Sequence, residues 1–81
     1  MFNRYSGSHM HAQTGKFLGY TCTYDVDRKK GTISYVATVH ADGHNPTRLH
    51  STTFFDSTMD PEDALVPDIN KKIDATDFGD L

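Results

Sequence analysis

Five histidines, one cysteine and eleven carboxylates, with four tyrosines, are the side chains of this sequence that could do chemistry. Their spacing limits what that chemistry can be. His9 and His11 stand in a polar stretch, and His40, His44 and His50 are spread along a later one. Neither set has cysteine partners at the spacing of a zinc site, because Cys22 stands alone inside an alternating apolar run. No metal is expected. A nucleophilic thiol needs exposure and a neighbouring base, and the alternation around Cys22 points it into a core. Tyr20, Tyr24 and Tyr35 fall on the same apolar faces and read as core aromatics whose hydroxyls reach an edge or a polar partner. Asp60, Glu62 and Asp63 lie where a helix starts, so they read as caps and not as a catalytic acid and base. The sequence has no phosphate loop or dinucleotide fingerprint, and Asp77-Phe78-Gly79 stands without the rest of a kinase. These residues point away from an enzyme, and no cofactor is expected.

The chain that must position them is short. At 81 residues it can build one core, and folding buries only roughly 60% of the surface its unfolded form exposes, which leaves no room for a large substrate cavity. No apolar run approaches a membrane span, and the N-terminal stretch lacks the apolar centre of a signal peptide. A single cysteine cannot form an internal disulfide, which fits a reducing compartment, so a cytoplasmic protein without membrane contact is expected. The formal charge of −3 hides a division. Residues 1–55 carry six bases against three acids, and residues 56–81 carry two lysines against eight acids. All five histidines lie in the basic part. Such a division suits complementary contacts within the molecule or with a partner.

Three regions follow from the patterning. Residues 1–15 show neither strand nor helix period and are expected to form a flexible arm; Gly7-Ser8-His9-Met10 has the look of a remnant of tag removal, with a natural start at Met10, and the alternative is a natural arm in which Phe2 or Tyr5 anchors onto the domain. Residues 16–75 read as one βββα domain. Leu18, Tyr20, Cys22, Tyr24 and Val26 alternate with polar residues as a first strand, Asp27 to Gly31 supply a turn, and Ile33, Tyr35, Ala37, Val39 and Ala41 mark a second. Asp42 to Pro46 form the next turn, and Leu49, Ser51, Thr53 and Phe55 mark a third strand. Asp60 as N-cap with Pro61 in the first helical position opens a helix, whose stripe is Leu65, Ile69 and Ile73. Pro67 lacks an amide donor, so a kink or a break is expected there. Residues 76–81 are expected to be a frayed acidic tail, with Phe78 able to fold back. The fold class is therefore α+β, a three-stranded antiparallel meander with a C-terminal helix on one face.

Register follows from matching apolar positions. Pairing residue 26 with 33 sets Tyr24 opposite Tyr35 and Cys22 opposite Ala37. Pairing 39 with 49 sets His40 opposite Arg48, Thr38 opposite His50 and Ile33 opposite Phe55. The face away from the helix then collects Thr21, Thr23, Thr38, His40, Arg48, His50 and Thr52, together with Ser34, Phe17, Val36 and Phe54. Arg28, Lys29 and Lys30 flank it at a hairpin tip. Hydroxyls, imidazoles and cations on a flat sheet can meet phosphates and base edges, and partly apolar sheet faces and free edges can pair with another chain. The order strand, strand, strand, helix is similar to the DNA-reading N-terminal domains of tyrosine recombinases, to a class of plant transcription factors that lay three strands in the major groove, and to antitoxins of the HicB type. That resemblance covers element order over residues 16–75. It implies either a nucleic-acid or a protein partner, and the acidic helix opposes the first. The expectation is a small non-catalytic protein-binding or regulatory module, able to self-associate as a weak homodimer, with nucleic-acid binding through the Thr/His/Arg face as the alternative.

Overall fold

The computed structural model describes residues 2–41, 45–56 and 58–76. Four strands run in sequence order, β1 (Asn3–Met10), β2 (Phe17–Asp27), β3 (Thr32–His40) and β4 (Thr47–Phe54), and one helix follows, α1 (Pro61–Ala75). The strands form a single antiparallel sheet in the order β1-β2-β3-β4. The α+β class with one C-terminal helix agrees with the patterning, but the sheet has four strands and not three. The extra strand is the stretch expected to be a flexible arm. It pairs with β2 over its whole length, from Asn3 opposite Tyr24 to Met10 opposite Phe17.

Local sequence hides β1 because its inward positions are Tyr5, Gly7 and His9, which give no apolar contrast with Arg4, Ser6 and Ser8. What holds it is tertiary. Tyr5 lies beside Tyr20 with ring centroids 6.1 Å apart, in the range for a favourable aromatic pair. Gly7 leaves the space that the Tyr20 ring fills; a Cβ there would stand 2.8 Å from the Tyr20 hydroxyl. At the far end, His9 Nε2 lies 2.9 Å from Asp74 Oδ1, the Ala12 amide donates to the same oxygen at 2.9 Å, and His11 Nε2 donates to the Thr76 carbonyl at 3.0 Å. The turn between β1 and β2 thus clasps the C-terminal end of α1, where imidazoles suit the negative end of the helix dipole.

The β2–β3 register is the expected one, with Val26 opposite Ile33 and Tyr24 opposite Tyr35. The β3–β4 register differs by two residues. Val39 pairs with Thr47, Ala37 with Leu49 and Ile33 with Thr53, so the expected oppositions of His40 to Arg48 and Thr38 to His50 do not occur. A slip of two keeps every side chain on its face, so alternation cannot choose between the two registers. The observed one sets bulky Leu49 against small Ala37 and carries Phe55 past the ladder, where its amide donates to the Gly31 carbonyl at 3.0 Å and its ring is buried. Most of the expected turn 42–46 lies outside the described residues.

The core is the inner sheet face closed by α1. Leu18, Tyr20, Cys22, Ile33, Ala37 and Val39 meet Leu65, Ile69 and Ile73, and the three helix residues are fully buried. Asp60 caps the helix by accepting from the Glu62 amide at 3.2 Å, and Pro61 holds the first position. Pro67 does not break the helix, which runs from Pro61 to Ala75 through it. The physical reason is its side: Pro67 is exposed while Leu65, Ile69 and Ile73 keep one buried stripe on both sides of it. The bond that Pro67 cannot donate would end on the carbonyl of exposed Asp63, which water can reach. The acidic tail expected at residues 76–81 lies outside the described residues except for Thr76, whose amide donates to the Ile73 carbonyl and closes the helix.

Two outcomes follow. Ile69→Ala opens a cavity beneath the helix and should cost about 2–5 kcal/mol of stability in urea denaturation. The Asp74 carboxyl is held below its ordinary value by the Ala12 amide and by His9. Its contribution is therefore present above that ordinary carboxylate value and is lost as the pH falls through the depressed one. Protection of the β1 amides relative to their intrinsic exchange rates should fall on acidification in that range, and Asp74→Ala should give the same loosening at neutral pH.

The candidate binding face

Among the described residues, the sheet has one face under the helix and one without cover. Rows across the uncovered face follow from the registers: Arg4, Thr23, Val36 and His50 form one, and Ser6, Thr21, Thr38 and Arg48 the next. His40 stands near one end, across Gly19 from Ser8. Asp25, Ser34 and Thr52 form a row toward the other end, where the Ser34 and Thr52 hydroxyls lie 3.1 Å apart. Thr21, His40, Arg48, His50 and Thr52 are exposed, while Thr23 and Thr38 are half-buried. The structure thus gathers the expected threonines, histidines and Arg48 on one surface, in a different pairing from the one expected.

Arg28 does not extend that surface. Asp27 Oδ1 accepts from the Lys29 and Lys30 amides, each at 3.1 Å, and winds the tip tightly. Gly31 leaves it with φ +66°, a conformation that favours glycine. The Arg28 guanidinium lies 5.9 Å from the Phe55 ring centroid, so it points toward the core side, where it makes a cation–π contact.

Patterning missed the contribution of the N-terminal segment. Phe2, Arg4, Ser6, Ser8 and Met10 share the parity of the uncovered face, and Phe2 lines a shallow depression of about 270 Å³ with Thr23, Ser34, Val36, His50 and Thr52. The exposed large hydrophobic side chains among the described residues are Phe2, Met10, Phe17, Val36 and Phe54, and every one has that parity. They gather toward the two ends, with Met10 opposite Phe17 at one and Phe2 and Phe54 toward the other. Phe54 is 78% exposed and Phe17 69%. No period in the sequence marks the missed residues, because the glycine, serines and histidine between them give no apolar contrast.

Beneath the helix the polar groups serve the core. The Tyr35 hydroxyl donates to Asp68 at 2.6 Å and the Tyr24 hydroxyl to Glu62 at 3.2 Å, so two tyrosines reach polar partners on α1. Burial, then the carboxylate, pushes the pKa of both hydroxyls up. Burial together with Tyr5 pushes Tyr20 up to about 12, and burial pushes the Cys22 thiol up to about 11. Cys22 is fully buried among apolar neighbours. Among the described residues no three histidine, cysteine or carboxylate groups converge as a metal site; His44 lies outside them. No helix is long and apolar enough to cross a membrane, among the described residues. Nothing among known protein families, characterised proteins or solved structures matches this chain.

The raised tyrosines contribute stability that is complete below the ordinary phenol value of 10.0 and lost as the pH rises toward their folded values. Ultraviolet titration should therefore show tyrosinate absorbance from Tyr20 and Tyr35 appearing well above that value and from Tyr24 above it, together with alkaline unfolding. Thiol reagents at neutral pH should label Cys22 only after denaturation.

Proposed function

We propose that this chain is a small non-catalytic binding module that engages a protein through the uncovered sheet face. The observation that carries the reading is the placement of exposed apolar side chains. Phe2, Met10, Phe17, Val36 and Phe54 lie on one side of a two-layer domain, whereas the outer positions of the helix carry Asp63, Lys71 and Lys72. Apolar groups gathered on one exposed surface mark a place where another molecule removes them from water. The threonines, serines and histidines between them supply hydrogen bonds that orient a partner, and the free Cys22 suits a reducing compartment such as the cytoplasm.

Nucleic-acid binding is the second reading, favoured by the row Ser6, Thr21, Thr38 and Arg48, which offers three hydroxyls and a guanidinium in line. The charge on the face limits it: Arg4 and Arg48 are offset by Asp25 and Asp27 on the same side. Phosphate binding needs an excess of cations.

The two readings separate in one comparison. Immobilised wild-type protein should retain a defined protein from source-cell extract, Phe17→Glu/Phe54→Glu should lose it, and Lys71→Glu on the helix should keep it. Equal retention by all three removes the outer face as the protein site. Amide shifts on adding duplex DNA at low salt, confined to outward residues of the strands and fading as salt rises, would select the nucleic-acid reading instead.

A further inference from the structure

We infer that the occupant of the uncovered face is a second copy of this chain, packed sheet to sheet about a two-fold axis parallel to the strands. The inference rests on that face being the contact surface and adds who occupies it and in which orientation.

Charge placement is the first argument. The chain is net negative, so two copies repel unless their acidic parts stay apart. On the uncovered face Arg4 and Arg48 balance Asp25 and Asp27, giving no formal excess with the imidazoles neutral, while Glu62, Asp63, Asp68 and Asp74 belong to the helix layer. Face-to-face packing puts the two sheets about 10 Å apart and the two helices on the outsides, roughly 30 Å from each other. That exceeds the Debye length of about 8 Å at physiological salt several-fold.

Self-complementarity selects the axis. A two-fold parallel to the strands and passing between β2 and β3 lays β1 of one copy over β4 of the other, and each row over itself reversed. Arg4 then faces His50 of the second copy, Arg48 faces Ser6, and Asp25 faces Ser34, so no two arginines and no two acids oppose. Phe2 comes over Thr52 beside Phe54, which brings together the two most exposed aromatics, 74% and 78% accessible in the single chain. The axis at right angles to the strands also sets an arginine, Arg48, over His50, but it lays Phe2 over Ser8 and leaves the Phe2 and Phe54 rings apart. Aligned packing of two sheets with a modest twist is a common sandwich geometry, and the symmetry closes at two copies.

Area fits a weak, reversible dimer. Eight-residue strands spaced about 4.8 Å apart make a face of roughly 500 Å² per copy, so the pair buries on the order of 1,000 Å², the lower bound for a specific interface.

Sedimentation equilibrium from about ten micromolar to about one millimolar tests the assignment. The expected result is an average mass rising from 9.1 kDa toward twice that value. Phe54→Glu should hold the chain monomeric with unchanged circular dichroism, and Phe2→Glu, on the other side of the same contact, should do the same. In a mixture of labelled and unlabelled chains, nuclear Overhauser contacts between copies should join the Phe2 ring to His50, Thr52 or Phe54. A monomer at the highest concentration overturns the second copy as occupant; retention of another protein that Phe17→Glu/Phe54→Glu abolishes would then leave the binding face itself standing. A dimer that both glutamate variants leave intact overturns the surface, and contacts joining β1 to β1 overturn the axis.

Discussion

A sheet has two faces, and the described residues hold one amphipathic helix with which to cover them. Leu65, Ile69 and Ile73, fully buried, spend the helix's apolar stripe on the inner face, each removal from water being worth roughly 1.5–3 kcal/mol. The hydroxyl bonds from Tyr24 to Glu62 and from Tyr35 to Asp68 fix the helix at two points along its length. Every other feature follows from that commitment. The core is sealed on one side, and the side chains on the opposite surface, including three phenylalanines, are left to solvent or to another molecule.

The division of charge has a structural meaning within the same scheme. Acidic residues open the helix, where its dipole welcomes them, and supply acceptors for the Tyr24 and Tyr35 hydroxyls. Asp74, near the helix C-terminus where a carboxylate is least favoured by the dipole, is met by His9 and the Ala12 amide. The acidic element is thus tied to the first strand of the sheet at the point of greatest electrostatic need. The chemistry-bearing residues Cys22, Tyr20, Tyr24 and Tyr35 are all committed to packing or to this seam, which is why the functional reading rests on surface and not on a reactive centre.

Legibility differed between elements for definite reasons. β2 and β3 were plain because aromatic and β-branched residues alternate strictly, and a slip of one between them would have turned every core residue outward. β4 was plain as a strand but not in register: its inward residues Leu49, Ser51 and Thr53 carry little contrast, and a slip of two costs no change of face. The gathering of Thr21, Thr23, Thr38, His40, Arg48, His50 and Thr52 on one surface survived that error, since parity alone decides it. The neighbours of each residue did not survive. Arg28, grouped with that surface by adjacency in sequence, turned instead onto Phe55.

By itself, then, the amino-acid order determined what depends on period and local chemistry: an antiparallel α+β domain, the buried alternates, the Asp60–Pro61 helix start, the helix stripe and the face on which the polar strand residues stand. Only the tertiary structure decided what depends on contacts between distant segments. It made a strand of residues 3–10, whose glycine, serines and histidine have no strand signature until Tyr20 and the helix end receive them. It also carried the helix through Pro67, because the three buried residues flanking that position face the same core while the proline's own side faces water.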